Sequence, residues 1–124
     1  MTLVTPSTFS AIFNCCRALE EKKAESINVI DLRGKSSITD FYIIATGMSP
    51  PHLRALVRSA EKAILDNSSI QIRSQKDSES GWVVLDGFDF MVHLFDEELR
   101  SLYCLEKLWN DAKWVHWKGL ESWV

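Results

Sequence analysis

The chain has 124 residues, 46% hydrophobic and 25% charged, with a formal net charge of −3 at neutral pH. That length makes one domain whose core needs no covalent staples, and an acidic surface argues against direct binding to phosphate backbones. Three cysteines, two of them adjacent (Cys15, Cys16), make no disulfide framework, and no apolar run reaches the ~20 residues that span a bilayer.

The N-terminus has neither a basic stretch followed by an apolar one nor the Arg-rich character of a transit peptide, so a cytoplasmic protein with reduced thiols is expected. Thr5-Pro6 reads as a cap with proline at the first helical position. Phe9, Ile12, Phe13, Cys16 and Leu19 then recur at helical spacing to about Lys23. Ile27 to Arg33 is rich in β-formers, with Ile27, Val29 and Leu32 expected inward. Gly34 to Asp40 has turn chemistry, because glycine tolerates positive φ and Ser and Thr side chains bond nearby backbone. Phe41 to Thr46 shows no polar alternation, which predicts a strand covered on both faces.

A second helix is expected from Ser49-Pro50-Pro51 to Asp66-Asn67, with Leu53, Leu56, Val57, Ala60 and Ile64 as its apolar stripe. Ile70 to Arg73 alternates like a short strand. Trp82–Asp86 and Phe90–Phe95 are two strong strands about the turn Asp86-Gly87-Phe88-Asp89, a hairpin signal. Asp96 can cap a last helix that carries Glu97 and Glu98 in its first turn and Leu99, Leu102, Tyr103, Leu105 and Trp109 on its buried side. Asp111 to Val124 holds Trp114, Trp117 and Trp123 without a clean period, and is set apart as a Trp-rich extension of a 1–110 domain. The order α-β-β-α-β-β-β-α predicts an α/β (α+β mixed) domain, a mixed five-stranded sheet flanked by helices.

The chemistry is thin. Two-metal nucleotidyl transfer needs paired carboxylates, usually i and i+2 on one strand so that both reach the metals. Asp40 stands at the mouth of the central strand, but Tyr42 follows it two places on. Asp86 and Asp89 could approach Asp40, yet a hairpin turn favours Asp at those positions anyway. His52, His93, His116 and Cys104 have no zinc-ligand spacing, and Gly34-Lys35-Ser36 lacks the upstream glycine of a phosphate loop. His93 reads as a partly buried, hydrogen-bonded strand residue or as a contact at the sheet surface. No catalytic residue, metal or cofactor is assigned. Trp82 and Tyr103, with acids at Asp86, Asp89, Asp96, Glu97 and Glu98, have the make-up of a protein interface, aromatic anchors ringed by polar groups.

Five blocks occur in order: Gly-Lys-Ser-Ser-Ile-Thr-Asp-Phe (34–41), Ala-Thr-Gly (45–47), Trp-Val-Val-Leu-Asp (82–86), Val-His-Leu-Phe (92–95) and Tyr-x-Leu-Glu-Lys-Leu-Trp (103–109). Together they resemble the ribosomal silencing factor (Iojap-like) family over about residues 8–109. The resemblance implies a nucleotidyltransferase-like fold without catalytic acids. It also implies docking on a basic large-subunit ribosomal protein, number fourteen in that subunit, at the face that meets the small subunit. Obstructed subunit joining and lowered translation under nutrient limitation follow from that position, with a homodimer off the ribosome. Trp82, Val84, Asp86, His93 and Tyr103 in these blocks, with Asp89 and Arg100 between them, look by this resemblance like the docking side. The other classes open to this sequence are a nucleotidyltransferase-like enzyme using Asp40 with the hairpin acids, and a dimeric adaptor for a non-ribosomal partner.

Overall fold

A computed structural model describes residues 6–67, 72–75, 80–109 and 111–123; Thr5 and Ile70 lie outside them. Helix α1 (Pro6–Glu21) leads into β1 (Glu25–Asp31) and β2 (Phe41–Thr46), and α2 (Pro50–Asn67) follows. Next come β3 (Arg73–Gln75), β4 (Trp82–Asp86), β5 (Phe90–Phe95), α3 (Glu97–Tyr103), α4 (Leu105–Leu108), β6 (Lys113–Val115) and a 3-10 helix at Trp117–Trp123. The strands form one mixed sheet in the order β3-β4-β5-β2-β1-β6. Only β2 and β5 run parallel, in the middle; the other neighbours are antiparallel.

This arrangement explains the unbroken apolar run at Phe41 to Ala45. Phe41, Ile43 and Ala45 face the two long helices and belong to the main core, with Val83, Leu85, Phe90, Val92 and Leu94 from the neighbouring strands. Ile44 points to the other face and joins Ile30, Leu32 and Phe95 in a second, smaller core. The helix stripes expected from periodicity are the buried ones: Ile12, Cys16 and Leu19 on α1, and Leu53, Leu56, Ala60 and Ile64 on α2. Ser49 starts α2, its Oγ accepting from the His52 amide at 3.1 Å. Cys15 and Cys16 are free and buried, and burial pushes the Cys15 thiol up to about 12, which leaves it inert as a nucleophile.

The mixed α/β architecture is the one expected, and three regions depart in detail. The expected inward Leu32 lies one residue past the end of β1 and serves the second core. The single last helix is broken at Cys104, which sits at φ 47 and ψ 53 in the left-handed region. That break turns Leu102 and Tyr103 outward, 69% and 51% exposed, instead of onto the buried side. The Trp-rich tail is not appended to a finished sheet. Its residues Lys113–Val115 pair antiparallel with β1 as a sixth strand, and Trp117 and Leu120 pack against the main core.

Candidate docking site

Strand alternation decides which expected contact residues share a surface. Trp82 lies opposite Phe95, and Val84 opposite His93, across the antiparallel β4–β5 pair. His93 and Phe95 are in turn level with Ile44 and Thr46 of β2. Trp82, Val84, His93 and Phe95 therefore occupy the face opposite α1 and α2, the one partly covered by α3 and α4.

An aromatic ladder is built on this face. The Trp82 ring lies between Phe95 and Tyr103, with centroids 4.9 and 4.8 Å away. Its Nε1–H donates to His93 Nδ1 at 3.2 Å. His93, 5% exposed, stacks on Phe95 at 6.0 Å with 10° between the planes and meets Tyr42 edge-on at 4.6 Å. Burial pulls the His93 pKa down to about 4, so the imidazole is neutral at physiological pH. Of the ladder, only Tyr103 brings a large part of its ring to the surface, next in sequence to exposed Leu102.

The position of α3 is fixed by its own start. Asp96 Oδ1 accepts from the Leu99 amide at 2.7 Å, and the Asp96 amide donates to the Gly81 carbonyl at 2.8 Å. Gly81 has φ +88, and a Cβ there would meet the Asp96 carboxylate; only glycine allows this cap. Arg100 then reaches inward. Its Nη2 donates to Glu106 Oε2 at 2.6 Å and its Nη1 to Thr46 Oγ1 at 2.8 Å, while Asn28 Nδ2 donates to the same Glu106 oxygen at 3.1 Å. Partial burial raises the Glu106 carboxyl, but the hydrogen bond and charge of Arg100 outweigh it and hold the group below the usual carboxylate range.

The seven residues expected to dock are thus not one patch. Trp82, Val84, His93 and Tyr103 share the aromatic face. Arg100 supports that face from beneath, its guanidinium engaged with Glu106 and Thr46. Asp86 is at the far end of β4, where its Oδ1 accepts from the Phe88 amide at 2.9 Å. Asp89 lies off the face altogether: its Oδ2 accepts from Thr8 Oγ1 of α1 at 3.4 Å, and its carbonyl accepts from the amides of Asp40 and Phe41.

Asp40 and Asp89 are near neighbours, and desolvation together with the Asp89 charge raises the Asp40 carboxyl. Tyr42 is on the aromatic face, against His93 and Trp109. Among the described residues no group of three or more His, Cys, Asp or Glu is placed to hold a metal, and no described helix is long and apolar enough to cross a membrane. Two surface hollows among the described residues lie elsewhere, one of about 400 Å³ between β1 and the tail and one of about 250 Å³ between α1 and α2.

Sequence reasoning passed over Asn28, Thr46 and Glu106, which lock Arg100. Their separations from it, 72, 54 and 6 residues by chain number, fit no helix or strand period, so only the fold brings them together.

Comparison with known proteins gives consistent matches. The family model described as "ribosomal silencing factor during starvation" matches residues 6–123, and so takes in most of the tail. The chain is similar to a ribosomal silencing factor of Halalkalibacterium halodurans, 35% identical over 106 residues, covering 85% of this chain and 90% of that one. It is similar to the ribosomal silencing factor of Bacillus subtilis, 38% identical over 96 residues, covering 77% and 80%. A crystal structure of a Chromobacterium violaceum protein superposes with a TM-score of 0.74 at 28% identity, covering 86% of this chain and 88% of that one.

Proposed function

The chain belongs to the ribosomal silencing factor family, and on that premise we propose that it represses translation by docking on the large ribosomal subunit and keeping the small subunit away. The docking site is the aromatic face at Trp82, Val84, His93 and Tyr103. Its partner is a basic ribosomal protein of the large subunit, number fourteen, at the surface where the subunits meet. Repression is called on when nutrients are short, in the cytoplasm.

One observation carries the reading: Tyr103, half exposed, leads from the surface into a stack with Trp82 and Phe95. A large, half-exposed aromatic anchored from behind by other rings is the composition of an interface hot spot. Glu97 and Glu98, exposed in the first turn of the same helix, on a chain of net charge −3, suit a basic partner and speed the encounter. An interface of ~800 Å² per partner is enough for specific docking. A 14.2 kDa body held at the joint then excludes the other subunit by volume, and no bond need be made or broken. Off the ribosome, a homodimer would cover the exposed Leu102 and Tyr103.

Co-sedimentation with separated ribosomal subunits tests this. The chain is expected to pellet with large subunits and not with small ones. Tyr103→Ala is expected to weaken association at least about tenfold with little change in stability, because half of that side chain is already in water. Equal occupancy of large subunits by the variant would refute the assignment of the docking face.

A further inference from the structure

Two buried nitrogen atoms on the aromatic face have no hydrogen-bond partner among the described residues: His93 Nε2 and Trp109 Nε1. The indole of Trp109 can only donate. The state of His93 follows from its neighbour. Trp82 Nε1–H is also donor only and lies 3.2 Å from His93 Nδ1, so Nδ1 is the acceptor and the neutral ring carries its proton on Nε2. Both orphan atoms are therefore N–H donors. Buried donors without acceptors are uncommon because each keeps an uncompensated loss of hydration.

The two donors surround one side chain. Tyr42 meets His93 at 4.6 Å and Trp109 at 6.4 Å, the latter at 87°. The α3–α4 corner lies on the same face, tied to the sheet by the hydrogen bonds of Arg100 to Thr46 and of Asn28 to Glu106. Neither α3 nor α4 contains a fully buried residue, and the two helices join at Cys104, a non-glycine residue in the left-handed region. Moving the corner costs those two hydrogen bonds and leaves the main core, on the other face of the sheet, untouched.

We propose that on docking the α3–α4 corner moves aside and backbone carbonyl oxygens of the partner protein accept hydrogen bonds from His93 Nε2–H and Trp109 Nε1–H. This rests on the docking function above and adds the groups that give it specificity. The chemistry favours a neutral acceptor. Tyr42, Trp82 and Phe95 surround the donors, and the Arg100 cation is already bound to Glu106, so a carboxylate or phosphate would enter without a counter-charge. A peptide carbonyl is the neutral acceptor that every protein segment carries.

The test is binding of the full chain to purified large subunits, measured beside the thermal melting of the free chain. Two variants remove the Trp109 donor: Trp109→Phe, and replacement of Trp109 by benzothienylalanine, which keeps the ring shape and lacks the N–H. Both are expected to bind about five- to tenfold more weakly, and the benzothienyl chain to melt no lower than the wild type, since it gives up an unmet donor. Wild-type binding with unchanged affinity in the benzothienyl chain would overturn this inference while leaving the docking function intact. A benzothienyl chain that melts lower and binds equally would assign the indole N–H to the fold and overturn it as well. Failure of the wild type to bind large subunits would overturn both readings.

Discussion

His93 is held neutral inside the aromatic face, between Tyr42, Trp82 and Phe95. Its place in the Val-His-Leu-Phe strand predicts burial beside a hydrogen bond, and it is 5% exposed and accepts from Trp82. Its partner, eleven positions away, is known only once β4 and β5 are registered. The consequence is a pH dependence. The folded pKa of about 4 lies below the ordinary 6.5, so between those values the unfolded chain binds the proton and the folded one does not. Stability is therefore fully present above pH 6.5 and falls as pH drops toward 4, by roughly 3 kcal/mol from this group. Urea unfolding at pH 7 and at pH 4, for the wild type and His93→Gln, checks it. The wild type is expected to lose more between the two conditions; equal losses would contradict the assignment. Arg100 is the opposite case. The resemblance put it on the docking side, and its guanidinium is engaged with Glu106 and Thr46, whose approach to it no helix or strand period indicates.

At the scale of elements, the long periodic segments were readable because their stripes face one large core: α1, α2, and the strands β2, β4 and β5 stand where pattern and turn chemistry put them. The misreading came where local and tertiary preferences conflict. Leu99 to Trp109 has an apolar spacing that suits one helix, but the chain breaks at Cys104, and its Cys104 amide still caps α3 by donating to the Arg100 carbonyl. The tail was opaque for another reason. A three-residue strand has too little pattern to register, and β6 exists because β1 offers it an open edge. Both outer strands of the sheet, β3 and β6, are three residues long, which limits edge-to-edge association. Trp117, just after β6, lies 5.9 Å from Phe13 of α1 and is half-buried. Trp117→Ala is expected to lower the unfolding free energy by about 2 kcal/mol. A change under about 0.5 kcal/mol in urea titration would show that the tail contributes nothing to the fold.

For the whole molecule, the sheet divides the labour. One face, with α1 and α2, holds most of the apolar burial and sets stability. The other carries the aromatic ladder, the polar lock of Arg100, and a short-helix cover with no fully buried residue. A domain built this way can commit one face to a partner without loosening its core. Asp40 and Asp89 are tied to the turn at one end of the sheet, and the position two beyond Asp40 is given to Tyr42, part of the aromatic face. Family membership follows from the comparisons, and the blocks that carry the resemblance are legible because they encode the sheet centre and the turn from α3 into α4 together.

Subunit joining is the most direct measure of the central claim. Purified large subunits, incubated with the chain and then mixed with small subunits, are resolved on a gradient. The account predicts fewer joined ribosomes as the chain is added, with the chain in the large-subunit fraction and the effect weakened by Tyr103→Ala. Full joining with the chain still bound to the large subunit would contradict it.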